Sequence, residues 1–248
     1  VHLERLLDFA GTAWRRPLVA EERGRMKTLY GRLRTQGLSH ESAWRLLLAR
    51  VLVSANFLYK VETPGEGRVA RPVNDWELAS RLSYFLWSTA PDSTLRHQAA
   101  AGRLQRASQV ADQARRMMDD PRIGGLATEF AAQWLELKNL ADFTPDPERF
   151  PGFDDELRHS LRSETELLFL AIQRSDSDVR DLLDCDFTHV DARLAEFYGI
   201  PFPDNVEADC HVRVELPAEM RQRGGLLGHA SILAVTSNPT RTSPVKRG

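Results

Sequence analysis

The sequence predicts a mainly α-helical protein, an irregular bundle of helices with at most one short strand pair. Apolar residues recur at intervals of three and four along nearly the whole chain, and no alternating apolar and polar stretch lasts beyond a few residues. Capping and breaking residues punctuate the periodic stretches at their ends. With 248 residues, 42% of them hydrophobic, the chain can bury a substantial core.

The elements follow in order. Residues 3–15 form a first helix that Pro17 ends, residues 21–34 a second that Gly37 breaks, and Ser39 caps a third running through Leu46, Leu47, Val51 and Leu52. The stretch TPGEGRVAR at 63–71 has linker composition between two strongly apolar helices, which places a domain boundary there. Asn74 and Glu77 have capping-box spacing and open the helix WELASRLSYFLWS. Pro91 starts a short helix, Ser108 caps one ending at Met118, and Pro121 and Gly124 precede a helical LATEFAAQWLEL. Residues 142–152, rich in proline and acid, read as an exposed connection into a long helix over 154–174. Beyond it come residues 179–183, a helix capped by Thr188 that runs to Tyr198, the turn IPFPD, and a short strand at 211–216.

Charge and motifs exclude several function classes. Lysine and arginine total 33 against 35 acidic residues, so no net positive field draws the chain to nucleic acid. No apolar run reaches the roughly 18 residues a membrane span requires. Serine-hydrolase elbow, zincin, Walker and dinucleotide-binding motifs are absent, and no CxxCH provides for covalent haem attachment. Cys185, His189, Cys210 and His211 lack the paired knuckles of a structural zinc site, so no metal is expected. Cys185 and Cys210 suit either a disulfide in an exported protein or two small thiols in a reduced one. Gly224 and Gly225 lack phosphate-loop spacing and read as a tight turn or a close packing contact.

Some residues nevertheless stand out. On the long helix, Leu157, Leu161, Leu168 and Ile172 form one apolar stripe with Glu164 in its middle, whereas Glu166 falls on the opposite side. A carboxylate placed so needs a cation or a raised pKa, in a structural ion pair or at a functional site. Arg81, the one basic residue of the helix at 76–87, is the candidate partner, giving a buried Arg81 and Glu164 pair. Near the end, Asn238, Thr240, Thr242 and Ser243 surround Arg241 between Pro239 and Pro244, a loop whose donors suit an anion, a carboxylate or a sugar. His229, on the preceding apolar helix, either faces that loop or packs.

Several words along the chain carry a resemblance: AWRRPLVAEE at 13–22, LVSANFLYKVE at 52–62, ELASRLSYFLWSTAPD at 77–92, FAAQWLEL at 130–137, SETELLF at 163–169, RLAEFYGIP at 193–201 and the ending from GGLLGHAS onward. Together they resemble a family of large exported proteins, abundant in planctomycetes, that string domains of unknown function beside a c-type cytochrome module. The resemblance implies an N-terminal helical domain at 1–62, a linker at 63–72, a central helical domain at 73–201 and the truncated start of a third at 202–248. It also implies an internal fragment of an extracytoplasmic protein, with any signal peptide and the haem domain upstream of Val1 and a further domain downstream. No cofactor is expected in the segment itself, whose partners would be those missing cytochrome and downstream domains and a carbohydrate or anionic small molecule.

Different functional readings remain open. The segment forms the substrate-facing part of an extracytoplasmic redox enzyme, with Arg241 holding an anionic or carbohydrate-like group and Glu164 supporting the core. Alternatively it is a non-catalytic module that presents the cytochrome to a partner or a cell-surface polymer. A third reading is a hydrolase that uses Glu164 with Asp184 or Asp186, which requires a cleft of set spacing between the carboxylates.

Overall fold

The structure, a computed structural model, describes residues 2–62, 71–175, 177–238 and 241–242. It is mainly helical, and the chain gathers into two compact units, residues 1–120 and 121–248.

In the first unit, α1 (His2–Ala13), α2 (Ala20–Thr35) and α3 (His40–Leu52) pack around Leu6, Leu7, Ala10, Met26, Leu47 and Val51. Helical spacing puts Leu6, Leu7 and Ala10 on one face of α1, and burying a leucine side chain stabilises the unit by about 2 kcal/mol. The helix starts are set locally: Ser39 accepts the Ser42 N–H to open α3. After α4 (Ala55–Leu58), Asn74 and Glu77 form a reciprocal capping box at the start of α5 (Asp75–Trp87). The unit is completed by α6 (Ser93–Ala100) and α7 (Ala107–Met118), and the Trp87 indole N–H donates to the Met117 carbonyl to join α5 to α7. Two starts differ from the sequence expectation. Asp92, beside Pro91, opens α6 by accepting the Leu95 N–H, and Ser108 lies inside α7 instead of capping it.

The second unit begins with a departure from the single helix expected of LATEFAAQWLEL. Its residues form a π-helical stretch at Leu126–Ala131, the short α8 (Ala132–Trp134) and a 3-10 turn at Leu137–Ala141, with Glu136 in the left-handed region at φ 56°. The spine is α9 (Asp155–Arg174), capped by Asp154, with Leu157 and Leu161 facing Val190, Leu194 and Tyr198 in the core.

The expected helix from Thr188 to Tyr198 is corrected. Residues Phe187–Val190 form strand β1, paired antiparallel with β2 (Val212–Glu215), and α10 (Ala192–Tyr198) starts only where Asp191 accepts the Leu194 N–H. FTHV alternates in burial and carries two β-branched residues, so it packs as a strand whose Thr188 and Val190 face inward. The chain then reaches α11 (Ala230–Val235) through a turn that lies against residues 183–185. There a Cβ on Gly224 would strike the Cys185 carbonyl, and one on Gly225, at φ +72°, the Leu183 carbonyl. The described backbone ends in an antiparallel pairing of β3 (Ser237–Asn238) with β4 (Arg241–Thr242). Among the described residues, no helix is long and apolar enough to cross a membrane.

Candidate functional site

Glu164 sits mid-way along α9 and is completely buried, as are Leu161 and Leu168 beside it. Its carboxyl is held from two elements: the Thr188 hydroxyl of β1 donates to Oε1 at 2.6 Å, and the Tyr198 hydroxyl at the end of α10 donates to Oε2 at 2.7 Å. Burial pushes the Glu164 pKa up to about 8, against the opposing pull of those hydrogen bonds and of the Arg223 guanidinium, so the group is neutral at pH 7.

His229 completes the centre from the N-terminus of α11. It makes no capping bond there and turns inward, so that Nδ1 lies 2.9 Å from the Thr165 hydroxyl and Nε2 3.7 Å from Glu164 Oε1. Burial lowers its pKa to about 3, and the ring is neutral as well. The hydrogen bonds orient the protons. Because the Ala230 N–H donates to the Tyr198 oxygen, the Tyr198 hydroxyl proton is directed at Oε2. The remaining face of His229, Nε2, has no partner at hydrogen-bonding distance, while Thr165 bridges Nδ1 to the Ser231 hydroxyl at 2.7 Å. The cluster thus places hydroxyl, imidazole and carboxyl in the order of a nucleophile, its base and an orienting acid, but without the hydrogen bond between imidazole and carboxyl that such a triad uses. Thr165, Ser231, His229 and Glu164 are all fully buried, however, so no substrate atom can approach the hydroxyls in this state.

A neighbouring group has the residue types of a hydrolytic triad without its geometry. The Ser160 hydroxyl donates to Asp191 Oδ2 at 2.5 Å, and His211 Nε2 lies 3.7 Å from that same oxygen. The serine therefore bonds to the acid directly, and the nucleophile-to-base link that defines acyl-transfer sites is missing.

The other sequence candidates fall elsewhere. The expected buried pair of Arg81 with Glu164 is corrected: Arg81 is exposed and clasps Glu62 with two hydrogen bonds of 2.6 Å, and Glu164 is neutralised by a proton instead of a cation. Glu166, on the other side of α9, is half-buried and pairs with Arg162 at 2.6 Å. Asp184 and Asp186 are exposed whereas Glu164 is sealed. Thr240 and Ser243 lie outside the described residues, as do the side chains of Asn238, Arg241 and Thr242. Both cysteines are free thiols, Cys185 buried and Cys210 exposed. Among the described residues, the one group of three or more side chains close enough to share a metal ion is the exposed Glu207, Asp209 and Cys210, which includes neither His189, His211 nor Cys185.

Sequence reasoning missed the partners of Glu164. Thr165 is its neighbour in the chain, and a second polar residue beside a buried carboxyl was a usable signal. Thr188 and Tyr198 gave none, because their proximity is created by the β1 to α10 corner that was read as one helix.

The first unit holds an open cleft of about 370 Å³ between the end of α1, the segment after α4 and the start of α5. Arg15 forms its floor. That residue is itself in the left-handed region at φ 61°, is 6% exposed, and donates to the carbonyls of Asn56 at 2.5 Å and Tyr59 at 2.6 Å and to the Tyr84 hydroxyl at 3.3 Å. The rim is held by Arg16 clasping Glu22, whose carboxyl it keeps below the ordinary range, and by Arg81 doing the same to Glu62. Trp14 and Trp76 line the walls. The words AWRRPLVAEE, SANFLYKVE and ELASRLSY are therefore the mutual partners of one structural corner, much as SETELLF, RLAEFYGIP and GGLLGHAS are those of the Glu164 centre.

Two family models match the chain, and they divide it at a different place from the two compact units. Residues 3–62 match the family model PSD5, protein of unknown function (DUF1595), and residues 73–200 match PSD4, protein of unknown function (DUF1592). No curated protein and no solved structure matches the chain. The second match covers about half of the 248 residues, and the chain belongs to the PSD4 family of proteins of unknown function (DUF1592), with a PSD5 segment ahead of it.

Proposed function

We propose that this chain is a non-catalytic binding module of an exported, cytochrome-c-associated protein. The observation that supports it is the complete burial of Glu164 and His229: among the described residues the one constellation with the residue order of a catalytic centre is closed, while the open cleft lies in the other unit and is built from tryptophans and arginines already paired. A c-type haem on a separate domain, an extracytoplasmic location and partnership with the parent's other domains belong to the same proposal and rest on the resemblance of the sequence words. The terminal loop around Arg241 is its second ligand candidate. The rival is a substrate-facing role in a redox enzyme, favoured by the Thr165, His229, Glu164 order, and it requires the centre to open.

The test is haem reduction in the parent protein. Reduction by sugars and aromatic acids is followed at the haem spectrum for wild type and for Glu164→Gln and His229→Gln variants that retain their fold. A binding module leaves the rates within about twofold of wild type, whereas loss of an essential base costs about a hundredfold or more. No reduction with any donor would remove the redox-enzyme rival.

A further inference from the structure

We infer that the cleft of the first unit binds an acidic saccharide, its ring against Trp14 and Trp76 and its carboxylate or sulfate on Lys60. The inference rests on the binding-module reading and names its ligand. A cleft of about 370 Å³ lies within the range of small-molecule sites, roughly 300 to 1,000 Å³, and toward its lower end. Its walls are set before any ligand arrives. Arg15 ties the end of α1 to the carbonyls of Asn56 and Tyr59, Arg81 ties α5 to Glu62, and Glu77 is held by Arg71 and the Asn74 N–H. Side chains fixed in this way lose little entropy on binding.

Charge then selects the ligand. The carboxylates on the lining, Glu62 and Glu77, are each engaged by an arginine, so neither presents an uncompensated negative charge. Lys60 is different. It is exposed, its ammonium sits 4.6 Å from the centre of the Tyr84 ring, and it makes no ion pair among the described residues. The lining therefore offers to an anion one exposed cation, held over the Tyr84 ring, that no carboxylate among the described residues neutralises. The Trp14 N–H is taken by the Val51 carbonyl at 3.4 Å, and the Arg16 guanidinium lies 5.8 Å from the centre of the Trp14 ring. Asn56 adds a neutral polar side chain, and Asn74 and Ser80 keep only the capacity left after Asn74 Oδ1 accepts the Glu77 N–H and the Ser80 hydroxyl donates to the Trp76 carbonyl.

Tryptophan fluorescence and calorimetric titration of the 248-residue chain test this with glucuronate and galacturonate oligomers, a sulfated oligosaccharide, the matching neutral oligomers, inorganic sulfate and benzoate. At least one acidic saccharide is expected to shift the fluorescence and to bind about tenfold more tightly than its neutral counterpart, with affinity falling as salt is added. Lys60→Gln, at an exposed position, should weaken that binding about tenfold, whereas Lys138→Gln in the second unit should not change it. Carboxylate and sulfate sources are told apart by which oligomer binds. Silence with every acidic saccharide, equal binding of neutral oligomers, benzoate or sulfate alone binding as tightly, or full binding in Lys60→Gln would each overturn the inference. None of these outcomes bears on haem reduction in Glu164→Gln, so the two proposals fail separately.

Discussion

Oε1 of Glu164 lies 3.7 Å from Nε2 of His229, and neither residue exposes any surface. At that distance and burial the pair is held as a neutral acid beside a neutral imidazole, because two charges would have to be desolvated for one imperfect contact. Its anchoring comes instead from Tyr198, which donates to Glu164 and accepts from the Ala230 N–H. Tyr198→Phe removes both bonds without changing the ring, and it should cost about 2 to 4 kcal/mol in urea unfolding, since a buried N–H and a carboxyl oxygen each lose a partner.

Stability should depend on pH through the same two residues, with opposite signs. Glu164 has its pKa raised from 4.5 to about 8, so the folded state holds a proton the unfolded chain has released, and this contribution is lost as pH rises through 8. His229 is lowered from 6.5 to about 3, so its unfolded form takes up a proton the folded one refuses, and stability is lost as pH falls from 6.5 toward 3. Between 4.5 and 6.5 the two slopes cancel. The centre therefore contributes a plateau there and a decline on either side, steepest at about 1.4 kcal/mol per pH unit. Urea midpoints measured from pH 4 to 9 would show it.

Arg15 is a buried guanidinium satisfied by carbonyls and a phenol, with a cation over the Tyr84 ring as well. Arg15→Lys keeps the charge but cannot span the Asn56 and Tyr59 carbonyls together, and it should lower stability by about 2 kcal/mol. Arg15→Ala should cost more, about 3 to 4 kcal/mol, with loss of the cleft. Thermal melting followed by tryptophan fluorescence distinguishes the two variants.

The turn before α11 brings His229 to Glu164, and Gly225 is what allows it. Its positive φ and the Leu183 carbonyl both exclude a side chain, so Gly225→Ala should destabilise by about 3 kcal/mol or more. Gly24 is the contrast: it lies inside α2 with open space around its Cα, and Gly24→Ala should stabilise by about 0.5 to 1 kcal/mol. Calorimetric melting of both variants tests the pair of signs.

The helical class, the Ser39 and Asn74 caps and the apolar stripe of α9 were legible because each is written in local spacing. What escaped was set by tertiary structure. Phe187–Val190 reads as helix until Val212–Glu215 is present to pair with it, and only that pairing turns Thr188 toward Glu164. Arg81 looked buried because its helix is apolar on most sides, yet it faces solvent and Glu62, a residue from beyond the reach of helical periodicity. Arg15 gave no signal of burial, since carbonyls bind arginine without leaving a mark in the sequence.

The nature of the buried centre is decided most directly by urea unfolding of wild type and Glu164→Gln at pH 6 and pH 8.5. Glutamine resembles the protonated acid and releases no proton on unfolding, so the stability of the variant relative to wild type should rise between pH 6 and pH 8.5, by about 1.4 kcal/mol per pH unit up to about pH 8. A loss of about 3 kcal/mol or more at pH 6, with no gain at pH 8.5, would show instead a carboxylate paired with a charged His229, and would contradict the neutral centre.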